Sequence, residues 1–450
     1  MLIHGIGEQR PMATLWSFVD AVWCTDRSLV DRHDAEVYAK PDTINDSFEL
    51  RRVTTRYWKG EPERRVDFFE FYWAHLMRGN TVRGTVSWIF SLFFRSPRSV
   101  PNSLFGTWLI GCILLALSIA LFGTALLPGE ITKSFLPAEL LFPLALASFL
   151  GSIFATSWLA PVAGDAARYL SPDPENVDAR QKILRSGVQV LERLGTAKEY
   201  DRIVVVGHSL GSVIGLDILH HAFGRVAREP WEAAHAVGSP AAEALSSVEK
   251  AAGRLLGETV KLGDRAAFRT AQRAYATVLR TGWAEGTTPW LVTDFVTLGS
   301  PLSKADILIA ADAQELAQFK ARRQIPTCPP KLETQKPPKF SYRTGSGVAI
   351  PHHGAVCAST VWTNIYYPNC FTVCGDVISG PVAPLFGPGV VDLELPVAGF
   401  RFTHNAYWLQ PRDIRANAPV DALRRALTRE RLRLRAGHHR RRTGQAPSGS

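Results

Sequence analysis

The chain has 450 residues, length enough for one large α/β domain with insertions or for two ordinary domains, either with a substantial core. Its net charge of +10 is uneven: nine Arg against Asp421 and Glu430 put +7 into residues 421–450, leaving about +3 elsewhere, an ordinary enzyme surface. Six cysteines (Cys24, Cys112, Cys328, Cys357, Cys370, Cys374) lack the dense spacing of a secreted disulfide scaffold and fit a reducing compartment; the lone Cys370/Cys374 pair reads as packing, so no metal is expected.

Met1-Leu2-Ile3 reads as the end of a strand and runs directly into His4-Gly5-Ile6-Gly7, with no basic and apolar leader, so no cleaved export signal is expected. Met12–Cys24 reads as a helix, and Arg65–Tyr72 (RVDFFEFY) as a strand with aromatic residues on both faces. Val82–Phe94 has the composition either of an interfacial helix or of a core helix.

Leu104–Leu127 is a dense apolar block of 24 residues inside an uncharged run from Ser99 to Gly129. As a helix it would be about 36 Å long, against a hydrocarbon core of about 30 Å. A second uncharged run covers Leu140–Gly164, and the twelve residues between the two blocks suffice only for a turn. The expectation is a transmembrane helical hairpin over residues 99–164. Arg78, Arg83, Arg95, Arg98 and Arg168 flank it, whereas the turn holds Lys133 against Glu130 and Glu139, which places the flanks and the rest of the chain on the cytoplasmic side.

Beyond the hairpin, Asp178–Leu194 has apolar residues at helical spacing. Ile203–Val206 is a β-branched run suited to a central parallel strand, and a helix is expected from just after Ser209 to about Phe223. Ala241–Arg280 is Ala-rich and helical in pattern, a cap or lid. Leu291–Leu298 reads as a strand ending in Gly299-Ser300-Pro301, Phe319–Gly347 as a surface loop, Val361–Thr372 and Val397–Thr403 as strands, and Leu423–Leu434 as a helix before a polar tail. Alternating strands and helices predict an α/β fold with an open, mainly parallel sheet flanked by helices.

The pentapeptide Gly207-His208-Ser209-Leu210-Gly211 follows the strand IVVV and opens the helix LGSVIGLDIL. That is the strand–turn–helix setting of a nucleophile elbow, in which the residues two before and two after the serine must be small, as Gly207 and Gly211 are. The segment YDRIVVVGHSLGSVIGLDIL resembles the elbow of lipase- and esterase-like α/β-hydrolases, and the chain is similar to a membrane-anchored, bacterial-type member of that superfamily.

The resemblance implies a serine nucleophile, Ser209, and an oxyanion held by the N–H groups of Leu210 and, from the LIHGIGEQ segment, Ile6. His208 is expected to pack beside the site rather than carry protons. The family order of serine, acid and histidine points to His404, in HNAYW, a segment similar to the His-x-x-Tyr-Trp of lipase-like members; His352, His353, His438 and His439 are the other late histidines. Asp376, in CGDVISGP after the strand VWTNIYYPN, resembles the acid of the same group, ahead of Asp392 and Asp306.

The family usually has two or more strands before the oxyanion loop, and here that loop follows the first strand; the hairpin is a second departure. The implied organisation is residues 1–98 (oxyanion part), 99–164 (hairpin), 165–239 (elbow part), 240–290 (cap), 291–420 (acid and histidine) and 421–450 (basic tail, disordered). The implied function is a cofactor-free serine hydrolase of carboxylic esters, acting on acyl or lipid esters at the cytoplasmic face of a bacterial inner membrane. A thioesterase or acyltransferase using the same residues is the chemically adjacent alternative, and a non-catalytic membrane scaffold the distant one. The basic tail suits anionic lipid better than nucleic acid.

Overall fold

In a computed structural model, residues 1–6, 10–26, 35–56, 65–77, 174–227, 230–257, 263–281, 290–333, 338–369, 375–397, 403–408 and 419–427 are described, with a few isolated positions between them. Six strands form one sheet: β1 (Leu2–Ile3), β5 (Glu70–Phe71), β6 (Ile203–His208), β7 (Val292–Leu298), β10 (Val361–Tyr366) and β11 (Val391–Glu394). The spatial order is β5-β1-β6-β7-β10-β11, and all five pairings are parallel. Every residue of β7 and β10 is buried, as a parallel sheet covered on both faces requires.

Alternation along the strands feeds two apolar clusters. Ile3 and Val205 face one, with α2 (Pro174–Thr196), α3 (Leu210–Val226), α4 (Pro240–Leu255) and α5 (Asp264–Thr281). Leu2 and Val206 face the other, with α1 (Ala13–Val19) and the helical residues 419–427. The Ala-rich segment expected as a cap forms α4 and α5, whose Leu245, Val248, Phe268 and Tyr275 join the first cluster, so it is a layer of the fold.

The strand order also sets where a site belongs. From β1 the chain steps outward to β5, then crosses back over β1 to β6 and continues the other way. Loops leaving the carboxyl ends of β1 and β6 therefore run in opposite directions, and such a switch point is where open α/β sheets bind ligands.

Several elements differ from the sequence expectations. Arg65–Tyr72 is two strands: β4 (Asp67–Phe68) completes an antiparallel sheet with β2 (Val37–Pro41) and β3 (Arg51–Thr55), while β5 joins β1. Asp67 makes this division stick, accepting hydrogen bonds from Thr54 (2.5 Å), Arg52 (3.2 Å) and Tyr200 (2.8 Å), which tie the small sheet to the approach to β6. Met12–Cys24 is an α-helix only to Val19 and continues as a π-helical turn over Asp20–Cys24.

The stretch 319–347 is not all loop. Helix α6 (Ala313–Ala321) is capped by the Asp312 carboxylate accepting the Glu315 N–H at 2.8 Å. Strands β8 (Ser341–Arg343) and β9 (Ala349–Pro351) form a hairpin pinned by the buried Glu249 carboxylate, which accepts from the N–H groups of Phe340 and Ser341. Long-range anchors of this kind leave no periodic trace in a Pro- and Lys-rich sequence.

The strand expected over Val361–Thr372 stops at Tyr366, two residues before Pro368, and Val391–Glu394 takes the sheet edge beside it. Val397 and Thr403 are not in a strand. The residues between them, the segment Val82–Phe94, the Cys370/Cys374 pair and the tail from 428 lie outside the described residues. So does the expected hairpin, apart from six helical positions between Leu109 and Ala120; among the described residues no helix is long and apolar enough to cross a membrane.

Candidate active site

Strand β6 ends at His208, Ser209 turns the chain, and α3 starts at Leu210. Ser209 has φ 52° and ψ −129°, a left-handed backbone that costs a non-glycine residue roughly 1–3 kcal/mol. The turn is possible because its neighbours lack side chains. A Cβ on Gly207 would lie 2.6 Å from the Gly211 carbonyl oxygen, and one on Gly211 would run into the carbonyl oxygens of Ile3 and His4. The elbow is thus pressed against the end of β1.

His404 and Asp376 reach this serine from the far end of the chain. His404 Nε2 lies 2.9 Å from Ser209 Oγ, and His404 Nδ1 lies 3.0 Å from both carboxylate oxygens of Asp376. With Nδ1–H donating to the carboxylate, Nε2 is left with its lone pair toward the hydroxyl, the arrangement a general base needs. All three side chains are buried.

Asp376 is held from several sides. Its Oδ1 accepts from the N–H groups of Ile378 (3.0 Å) and Ser379 (3.2 Å), and its Oδ2 accepts from the Tyr407 hydroxyl at 2.7 Å. Burial pushes the carboxyl up, but the bonds from His404, Tyr407 and Ser379 outweigh it and bring it down to about 2. The carboxylate therefore stays charged at neutral pH. Gly299, just after β7, has φ 59° and fits directly under the group: a Cβ there would lie 2.7 Å from the Tyr407 ring and 3.2 Å from Asp376 Oδ2.

The His4-Gly5 turn closes the other side. A Cβ on Gly5 would come within 3.0 Å of both Ser209 Cβ and His208 Nδ1, so Gly5 lies directly against Ser209. Trp73 holds the turn: its indole N–H donates to the His4 carbonyl at 3.0 Å, its backbone N–H donates to His4 Nε2 at 3.2 Å, and the two rings stack at 5.0 Å. His4 Nδ1–H then donates to the Gly5 carbonyl at 2.8 Å. Burial pushes His4 down to about 4, which keeps that tautomer neutral.

Leu210 contributes the first N–H of α3, which has no carbonyl of its own helix to bond and lies at the positive end of the helix dipole. His208 lies edge-on to Trp408 and donates from Nε2 to the His404 carbonyl at 3.0 Å. Burial, with His404 beside it, lowers His208 to about 3. It braces the backbone of His404 and is itself an uncharged neighbour.

The competing candidates are elsewhere. Asp392 clamps a turn, accepting from Asn364 Nδ2 (2.8 Å) and from the N–H groups of Val382 and Ala383 (2.9 Å each). Asp306 opens a one-turn helix over Ala305–Leu308. His352 is locked by the Lys331 carbonyl and the Gly354 N–H, His353 stacks on His220, and His438 and His439 lie outside the described residues. Among the described residues no cluster of His, Cys, Asp or Glu is arranged to hold a metal ion.

Sequence reasoning did not assign Tyr407 a role, although its spacing of three from His404 carried the signal. It also passed over Gly299 and Trp73, whose contacts are long-range. No protein-family model matches this chain, and neither a curated protein nor a solved structure matches it significantly.

Proposed function

We propose that this chain is a serine hydrolase of the α/β-hydrolase type that cleaves carboxylic esters through an acyl-enzyme on Ser209. The observation that carries the proposal is the continuous row from Asp376 through His404 to Ser209 Oγ, set on a strained elbow at the sheet's topological switch point. An aspartate, a histidine and a serine in that order, buried and joined at 2.9–3.0 Å, have a specific chemical use.

Ser209 Oγ attacks the acyl carbonyl while His404 Nε2 takes its proton, and Asp376 balances the imidazolium that forms. The N–H groups of Leu210 and Ile6 bind the oxyanion. As the tetrahedral intermediate collapses, His404 returns the proton to the leaving alkoxide. Water, deprotonated by His404, attacks the acyl-enzyme and releases the acid, and the serine recovers its proton. No cofactor enters the cycle.

The hairpin of residues 99–164 is proposed to insert in the membrane with the site on the cytoplasmic side, so that acyl or lipid esters are its substrates and the basic tail meets anionic lipid. In support, Leu109, Ile113 and Leu117 recur at helical spacing and are all exposed.

The decisive experiment treats detergent-solubilised protein with a fluorophosphonate probe and with p-nitrophenyl esters of graded chain length. Labelling at Ser209 and ester turnover, both abolished in Ser209→Ala, are expected. Turnover that survives Ser209→Ala refutes the assignment.

A further inference from the structure

The turn after β7 is a part of the site that the Ser209–His404–Asp376 row does not include. Ser209 is held at both of its peptide groups. Its N–H donates to the Leu298 carbonyl at 2.9 Å, and its carbonyl accepts the Ser212 hydroxyl at 2.6 Å and the Ser212 N–H at 2.9 Å.

The Ser212 hydroxyl has one proton, and that proton is used on Ser209. Its oxygen, 2.6 Å from Ser300 Oγ, is therefore the acceptor of the Ser300 proton. Ser300 Oγ in turn accepts the Leu302 N–H at 3.2 Å. Every donor and acceptor in the chain Leu302, Ser300, Ser212, Ser209 has one consistent role, and the three serines are at most 1% exposed.

The same turn touches the other two members. Gly299 packs under Asp376, His404 and Tyr407, and Ser303 Oγ lies 3.3 Å from the Ser300 carbonyl and 3.4 Å from that of Ile378, in the Asp376 loop. Residues 298–303 thus touch the nucleophile, the base and the acid from one short stretch.

Resting on the hydrolase reading above, we infer that the Ser300–Ser212 hydroxyl pair is a positioning device that holds the carbonyl of Ser209 and so keeps the nucleophile in its strained, reactive conformation. The residues act through Ser209 and do not touch substrate. Without the hydroxyl the carbonyl keeps only the Ser212 N–H, which lets ψ of Ser209 relax and swings Oγ off the line to His404 Nε2. Misplacements of that order slow catalysis by up to about a hundredfold.

The test compares Ser212→Ala, Ser300→Ala and the double variant with the wild type. The measurements are the rate of fluorophosphonate labelling, kcat and KM on a p-nitrophenyl ester, the pH profile of kcat/KM, and Tm. Each single variant should lose roughly ten- to hundredfold in kcat and in labelling rate, with KM held within about twofold. The double variant should be no worse than the slower single one, because the two hydroxyls form one chain.

The acid limb of the pH profile should not move, since the His404–Asp376 pair is untouched. Ser239→Ala, which removes a remote cap from α4, should lower Tm and leave kcat alone, separating positioning from general loosening. Folded single variants whose kcat and labelling rate stay within about twofold of wild type overturn the inference while leaving the hydrolase reading in place. A wild-type chain that the probe does not label at Ser209 removes both.

Discussion

Glu70 offers a test of the energetics at the edge of the site. It lies on β5 with no exposed surface; its Oε2 accepts the Met12 N–H at 2.6 Å, where the chain returns from the oxyanion segment into α1. Its Oε1 has no hydrogen-bond partner among the described residues. Burial pushes the carboxyl from 4.5 to about 7, and the Met12 N–H offsets only part of that. The folded chain therefore holds this proton more tightly than the unfolded chain does.

The stability that Glu70 contributes is then greatest below 4.5, falls as the pH rises to about 7, and is level above that. At ~1.4 kcal/mol for each pH unit, the gap corresponds to about 3 kcal/mol. Glu70→Gln keeps an oxygen for Met12 and removes the titration. Urea unfolding of both proteins from pH 4 to pH 8.5 should show the variant gaining about 3 kcal/mol relative to wild type across that window, whatever its offset at acid pH. Two parallel curves would refute the account of Glu70 as a buried, nearly unpartnered acid.

Asp376→Asn should leave the fold intact and lower kcat by about 10⁴-fold on p-nitrophenyl esters, because an amide does not impose the tautomer of His404 that frees Nε2. Since Asp376 lies below its ordinary 3.8, its contribution to stability is complete above that value and is lost as the pH falls toward about 2, so the variant should show a shallower acid limb in urea unfolding. Gly211→Ala drives a methyl group into the backbone carbonyls of Ile3 and His4; a loss of about 3 kcal/mol or more in denaturant, together with loss of probe labelling, is expected. The full chain should sediment with membranes and resist carbonate extraction, and deletion of 101–161 should release it; an unchanged distribution would remove the anchor.

What could be read from the sequence was what short-range sterics and burial impose. The run IVVV is followed by a serine between two glycines, and those glycines are needed for contacts made within one turn and one neighbouring strand. His404 and Asp376 were legible as candidates through the likeness of HNAYW and CGDVISGP to segments of lipase-like proteins. The antiparallel sheet of β2, β3 and β4 was not, since its main tether is Asp67, a charged residue whose partners Arg52 and Tyr200 lie 15 and 133 positions away. RVDFFEFY has large residues on both faces, so a period of two could not show that it changes sheets at Phe69. Ser212 and Ser300 are 88 positions apart and of a residue type with no distinguishing pattern; only the fold brings them to 2.6 Å.

The second apolar face joins distant stretches of the sequence. Leu15 and Phe18 of α1 share it with Val420 and Leu423, and Arg424 donates to the carbonyls of Ala21 and Val22, more than four hundred positions earlier. At about 5–20 residues per second, α1 leaves the ribosome on the order of 20–80 s before its partner is made. Until then that face has only the earlier members of the cluster, Leu2, Val206 and Val296 among them, and lacks Val420 and Leu423. Tyr407 and His404 emerge just ahead of the closing residues, so the hydrogen bond between His404 and Ser209 forms only as this face is completed. The Ser209–His404–Asp376 row and the completion of the core are in this way tied to the same late event in synthesis.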